Sequence, residues 1–175
     1  EALDKVARAL GLPYPGGPAL EALAREGDPH AVRFHSALHD DDGFDFSFSG
    51  LKTAAVNRLH TAAQRGEALR AADVAASFQF AVVEALASRA VRAAARFGGA
   101  RPTLALAGGV SANGALRAAL NERCGRAGVR FCCPAQDCCT DNAAMVAAAG
   151  YHRLRAGQRD DLTLNAFPSL GMEDM

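Results

Sequence analysis

The sequence has no excess of charge of either sign: 19 basic and 19 acidic residues cancel, so no overall field draws the chain to nucleic acid or to an anionic membrane. Any contact with RNA must be local. Lysine is scarce, with only Lys5 and Lys52, and the rest of the positive charge is arginine; beside so much alanine this reads as genomic bias and carries no functional weight. No run approaches the roughly 18 apolar residues of a membrane span, so no membrane partner is expected. The opening Glu1-Ala2-Leu3-Asp4-Lys5 is neither a signal peptide nor an initiator methionine, and the chain is expected to be an excised fragment.

Cysteine is also limited: Cys124, Cys132, Cys133, Cys138 and Cys139. An odd number without a secretion signal argues against a disulfide framework and for a reducing cytoplasm. The Cys-Cys-x4-Cys-Cys arrangement lacks the Cys-x2-Cys knuckles that bring two thiolates from one turn onto a tetrahedral ion. Buried or incidental thiols are expected there rather than zinc.

What the sequence does have is apolar surface. With 175 residues, half of them hydrophobic, the chain can bury the core of one sizeable soluble domain. "EALDKVARALGL" predicts a helix with Leu3, Val6, Ala7 and Leu10 on one face, ended by Gly11. A Pro/Gly loop over residues 12–18 precedes a short helix from Ala19 to Arg25, and residues 26–43 are polar and irregular. "GFDFSFSG" alternates, which predicts a strand with Phe44, Phe46 and Phe48 in the core and Asp45, Ser47 and Ser49 on the other face. A helix follows from Leu51 to Gln64, then a long one over residues 71–97, where Asp73 suits a cap and Val74, Phe78, Val82 and Leu86 recur every four residues. Thr103–Ala107 and Val129–Cys132 read as short strands, Ala112–Ala127 as the helix between them, and a last helix runs from near Asp141 to Arg155, closed by Gly157. Helices alternating with short strands predict an α/β layered domain.

Two corners could carry chemistry. In "LALAGGVSAN" a strand leads through Gly108-Gly109 into a helix whose first turn holds Ser111 and Asn113. Glycines let a ligand approach the main chain, and the free N–H groups of that turn favour an anionic or polar ligand; a tight turn capped by Ser111 is the alternative. In "CTDNAAM", Thr140 or Asp141 is either a helix cap or, for Asp141, one oxygen ligand of a metal ion whose other ligands come from elsewhere. His35 and His39, in "HSALHDDD", have the spacing of a helical metal pair but lie in a segment too polar and broken for a helix, and His30, His60 and His152 read as surface residues. Arg89, Arg92 and Arg96 share one helix face, and Arg117, Arg123, Arg126 and Arg130 cluster near another; such groups could meet phosphates, but the favoured reading is the solvated side of amphipathic helices.

Taken together, "DKVARALGLPYPGGP", "FDFSFSGLKTA", "AGGVSAN" and "CTDNAAM" closely resemble the C-terminal half of the TsaD family, once called glycoprotease or O-sialoglycoprotein endopeptidase, which installs threonylcarbamoyl on a tRNA adenosine. The resemblance runs from Asp4 to about Leu162. It implies one lobe of an actin/Hsp70-like ATPase fold with a ribonuclease-H-like core, helix-rich, the N-terminal lobe being absent from residues 1–175. It also implies roles. Asp4 resembles the aspartate that holds the adenylate ribose, Gly17 the glycine lying against the nucleotide, Glu21 a glutamate that also reaches the ribose in archaeal relatives, Asn113 the nucleotide-binding asparagine, and Asp141 a metal ligand. The Asp45, Ser47 and Ser49 face would line or support the cleft between lobes.

The family's two metal-binding histidines and its phosphate-binding glycine loop belong to the absent lobe, and His35 and His39 are not that pair. The resemblance implies one divalent metal ion, iron by family, with zinc or magnesium as further candidates. The partners it implies are threonylcarbamoyl-AMP, tRNA and accessory proteins of the TsaB and TsaE type. The fragment alone is expected to be inactive, and no residue in it is an obvious general base. A non-catalytic nucleotide-binding or partner-docking lobe is the competing expectation. The metalloendopeptidase reading ranks last, because no His-Glu-x-x-His occurs.

Overall fold

Residues 1–34, 43–166 and 169 are described by the computed structural model; the His35/His39 pair lies outside them. In chain order they form α1 (Ala2–Ala9), α2 (Gly16–Ala24), α3 (Ser49–Arg65), α4 (Ala71–Phe97), β1 (Thr103–Ala105), α5 (Gly114–Ala127), β2 (Arg130–Cys132) and α6 (Ala143–Arg155), with 3-10 turns at Gly109–Ala112 and Gln136–Cys138. The chain divides into two compact units, Glu1–Cys139 and Thr140–Met175.

The first unit is built around α4. One side of it, through Ala75, Phe78 and Val82, packs with Val6 and Ala7 of α1, Leu20 and Ala24 of α2, and Leu51 and Ala55 of α3. Further along, Val83, Ala87 and Val91 pack with Leu116, Leu120 and Cys124 of α5 and with Val129. The small residues of this alanine-rich sequence let the helices approach closely, and Leu86 touches both clusters. By length and composition α4 could cross a membrane, but charged and amide residues interrupt it and 61% of its most apolar stretch is buried inside the protein, as in a core helix.

β1 and β2 pair in parallel with Thr103 opposite Arg130 and Ala105 opposite Cys132, and α5 connects them. Leu104 and Phe131 face the second cluster, while Thr103, Ala105, Arg130 and Cys132 are exposed, the alternation expected of a sheet covered on one face.

The "GFDFSFSG" segment is not a strand. Residues 44–48 have no ladder partner among the described residues, and Ser49 already opens α3. Instead of three core positions, Phe46 is 49% exposed and stacks on Phe48, Phe48 packs against the first cluster, and Phe44 meets Phe97 edge-on. Alternation predicts a strand only where a neighbouring strand supplies the other half of the ladder.

The arginine faces also differ from expectation. Arg89 is buried, the Arg92 guanidinium lies over the Phe44 ring and donates to the Gly43 carbonyl, and Arg123 pairs with Glu84 across α4 and α5. Asp73 does not cap its own helix; its carboxylate accepts from the Asp28 amide at 2.9 Å and from Arg70 at 3.1 Å, pinning the chain after α2 onto the start of α4.

The second unit holds α6, none of whose residues is buried. Gly157, at φ 83°, ends it as the sequence suggests.

Candidate functional site

Two helix beginnings in the first unit define the candidate site, and both are capped from a distance. α2 starts at Gly16, three residues earlier than its sequence pattern suggests, and Pro15 offers no side-chain cap. The Asp4 carboxylate of α1 takes that place, its Oδ1 accepting from the Gly17 amide at 3.1 Å. The two helices meet closely here: a Cβ on Gly16 would lie 2.8 Å from both Ala7 Cβ and Asp4 Cα, so only glycine fits. Gly17, one residue on, borders open space, with nothing within 4 Å of a Cβ built there.

At the second corner the chain leaves β1, reverses at Gly108 (φ 81°, ψ 176°) and makes a 3-10 turn into α5. Gly108 and Gly109 also border open space. Asn113 rather than Ser111 is the cap: its Oδ1 accepts from the Leu116 amide at 2.9 Å. Its Nδ2 donates to Gln79 Oε1 of α4, also at 2.9 Å. Glu21 reaches from α2 to accept from the Gly114 amide at 3.0 Å. Ser111 is fully buried, and its hydroxyl has no hydrogen-bond partner among the described residues.

Asp4, Gly17, Glu21 and Asn113 thus lie along one connected set of elements. Asp4 bonds to Gly17, Glu21 to the residue after Asn113, and Leu3, next to Asp4, shares a small cavity with Gln79, Val110 and Asn113. A larger cavity, of about 460 Å³ between Pro29–Phe34 and α4, holds none of these four residues.

Arg117 braces the corner from behind. Its Nε donates to the Ser111 carbonyl, and Nη2 to the Pro134 carbonyl at 2.7 Å and Cys139 Sγ at 3.0 Å. Nη1 reaches Cys133 Sγ at 3.4 Å. One planar fork therefore ties residues 133–139 to the turn before Asn113, and Gln136 Nε2 adds a bond to the Ala112 carbonyl. Neither Gln79 nor Arg117 stood out by motif. Gln79 had one signal, an amide inside the apolar run "VAASFQFAVV".

Asp141 belongs to the second unit. It is exposed and is not the cap of α6: Asn142 is, its Oδ1 accepting from the Met145 amide at 3.0 Å. The capping reading of Asp141 therefore fails. Among the described residues no group of three or more His, Cys, Asp or Glu side chains could hold a metal, so Asp141 offers a single carboxylate.

The five cysteines are free thiols. Burial raises the Cys124 thiol pKa, and the neighbouring Asp137 carboxylate raises that of Cys138, lowering its thiolate fraction at neutral pH. Native-state alkylation at pH 7 is expected to mark exposed Cys132 and Cys133 before Cys138, with buried Cys124 and Cys139 last. Asp137→Asn should speed labelling at Cys138, read by peptide mass; an unchanged rate there would refute the electrostatic cause.

The sequence model of the family described as "TsaD: tRNA N6-adenosine threonylcarbamoyltransferase" matches residues 1–148. Curated relatives carrying the name tRNA N6-adenosine threonylcarbamoyltransferase include one from Desulfitobacterium hafniense, 49% identical over 98% of this chain and 50% of that protein. One from Moorella thermoacetica is 51% identical over 97% of this chain and 49% of its own, and one from Symbiobacterium thermophilum 52% identical over 98% and 49%. The chain spans about half the length of the curated relatives it matches.

Proposed function

Because the chain belongs to the TsaD family, we propose that it is the C-terminal lobe of an enzyme that transfers threonylcarbamoyl from threonylcarbamoyl-AMP to a tRNA adenosine. The parent would have the two-lobed actin/Hsp70-like arrangement with a ribonuclease-H-like core. The observation that carries the reading is the linkage of the Asp4–Gly17 and Glu21–Gly114 contacts. A carboxylate stands at each of two helix beginnings, and Gly17, Gly108 and Gly109 each border open space, a chemistry suited to ribose hydroxyls and a phosphate together.

In this reading the Asp4 and Glu21 carboxylates accept hydrogen bonds from the ribose hydroxyls. The main chain at Gly17 and at Gly108-Gly109 lets the nucleotide approach closely, and Asn113 donates from its remaining Nδ2 hydrogen. The adenosine amine of tRNA attacks the threonylcarbamoyl carbonyl carbon, and AMP departs with the bonding electron pair. Holding two large substrates in register is the protein's main contribution. Asp141, an exposed carboxylate at the start of a helix, fits one ligand position of a divalent metal ion, with the others supplied from outside this chain. When bound, such an ion supplies Lewis-acid polarisation of a carbonyl. Without the other half the chain binds but does not catalyse. The polar side chains of Asp45, Ser47 and Ser49 border the cleft, and TsaB- and TsaE-type proteins assemble on the complete enzyme in the cytoplasm.

A second reading, a partner-docking lobe without chemistry, is favoured by α6, whose Met145, Val146, Tyr151 and Leu154 are each at least half exposed.

Calorimetry with AMP on the intact protein separates the two. Asp4→Asn and Asn113→Ser each keep a helix-capping acceptor and are expected to weaken AMP about tenfold, one charge-assisted or well-oriented hydrogen bond. Asp141→Ala should leave AMP affinity within about twofold while lowering iron(II) affinity by at least roughly tenfold. Wild-type protein that does not bind AMP, or Asp4→Asn and Asn113→Ser variants that bind it unchanged, would favour docking.

A further inference from the structure

We propose that Gln79 is a positioning residue for the nucleotide site, its side-chain carbonyl holding the Asn113 amide in the one orientation that both caps α5 and keeps an N–H available to a ligand. The inference rests on the reading of Asn113 as nucleotide-binding.

An asparagine amide has two unlike ends, and their assignment is decided by their partners. The Leu116 N–H must meet an oxygen, so Asn113 Oδ1 points into α5. Nδ2 then faces α4, where Gln79 presents Oε1 at 2.9 Å. That contact uses one of the two Nδ2 hydrogens and leaves the other. Because Asn113 is only 7% exposed, its amide cannot turn freely to water when a partner is missing, and an unpaired buried donor is costly. Gln79 also has to present its oxygen to Asn113, which fixes its own amide in turn.

The placement of Gln79 supports this role. It sits on a helix otherwise packed through Ala75, Ala76, Phe78, Val82 and Val83, at a half-buried position where a side chain such as methionine would pack as well. A polar amide there contributes through its hydrogen bond. That bond joins α4 to the start of α5, beside the cavity shared by Leu3 and Val110, so the central helix of the unit orients the capping asparagine of the candidate site.

The test is AMP binding to the intact protein, measured for Gln79→Met, Gln79→Glu, Asn113→Ser and the Gln79→Met/Asn113→Ser double variant. Far-UV circular dichroism verifies folding; methionine conserves volume, and serine keeps a cap for α5. Gln79→Met is expected to weaken AMP about fivefold, the loss of one neutral hydrogen bond. Gln79→Glu retains the acceptor and should stay within about twofold of wild type, and the double variant should be no weaker than Asn113→Ser alone, because the two residues act as one unit. A merely structural role for Gln79 would give additive losses and no rescue by glutamate. Unchanged affinity in Gln79→Met beside a loss in Asn113→Ser, a full loss in Gln79→Glu, or additivity in the double variant overturns the proposal. No loss in Asn113→Ser overturns the nucleotide reading itself, and the positioning role with it.

Discussion

Replacing Phe78 by alanine is expected to remove about 4 kcal/mol of folding stability, the range for a large aromatic cut from a core that can only partly collapse. Phe78 is fully buried and lies where α1, α2 and α3 close over α4, with the Phe34 ring edge-on at 5.9 Å. Its neighbours include several alanines, short side chains with no rotamer freedom to fill the gap, so the cavity should persist. In urea the midpoint should fall with an unchanged slope, the signature of lost native stability rather than an altered unfolded state. A loss below about 1.5 kcal/mol would mean that the helices close around the smaller residue, and the close-packed account of this cluster would then be wrong.

Gly27→Ala is the second large effect, expected at about 3 kcal/mol, the upper part of the range for over-packing against backbone. A Cβ at this position would fall well inside the van der Waals radius of the Ala72 carbonyl and 2.8 Å from the Asp73 amide nitrogen. Neither is the flexible end of a side chain, and neither can retreat without moving the first turn of α4. That turn is held in place from several directions. Asp73 accepts from the Asp28 amide, Arg70 Nη2 donates to the Glu26 carbonyl at 2.6 Å, and the Ser77 hydroxyl donates to the Asp28 carbonyl at 3.1 Å. Because this joint fixes how α4 meets α2, the variant should also weaken AMP, through Glu21 on α2 and Gln79 on α4. Calorimetry on the folded fraction at low temperature measures that second loss. Unchanged stability would show that the joint can open without cost.

The two effects involve different information. That Phe78 is core was legible in the four-residue recurrence of Val74, Phe78 and Val82, because helical periodicity reports which face is hidden whatever hides it. That Gly27 is irreplaceable was not, because the reason is a segment 45 residues away in sequence. The same division runs through the candidate site. The corners were visible as "AGGVSAN" and "CTDNAAM", since glycines and short polar residues at helix starts are local signals. Which side chain caps each helix was misassigned in the three cases where a cap was considered. Ser111, Asp73 and Asp141 all have the right chemistry; Asn113 and Asn142 have it too, and Asp73 is drawn away to Asp28. Local propensity cannot choose between adjacent acceptors when the backbone turn that aims them is itself set by packing.

The phenylalanine segment failed for a related reason. Alternation describes one strand, but a strand exists only with a partner, and residues 44–48 have none among the described residues. Arg89 likewise followed its helix period onto a face that the chain around Pro29–Phe34 approaches, so a residue that reads as solvated is buried.

By itself, then, the sequence determined the helices, the two short strands flanking α5, the glycine corners and the family, because each is encoded in spacing between near neighbours or in motifs several residues long. Only the tertiary structure decided that Asp4 serves α2, Glu21 serves α5 and Gln79 serves Asn113. Those contacts join residues 13, 93 and 34 positions apart, and a hydrogen bond depends on where atoms are brought in space, which no local pattern specifies.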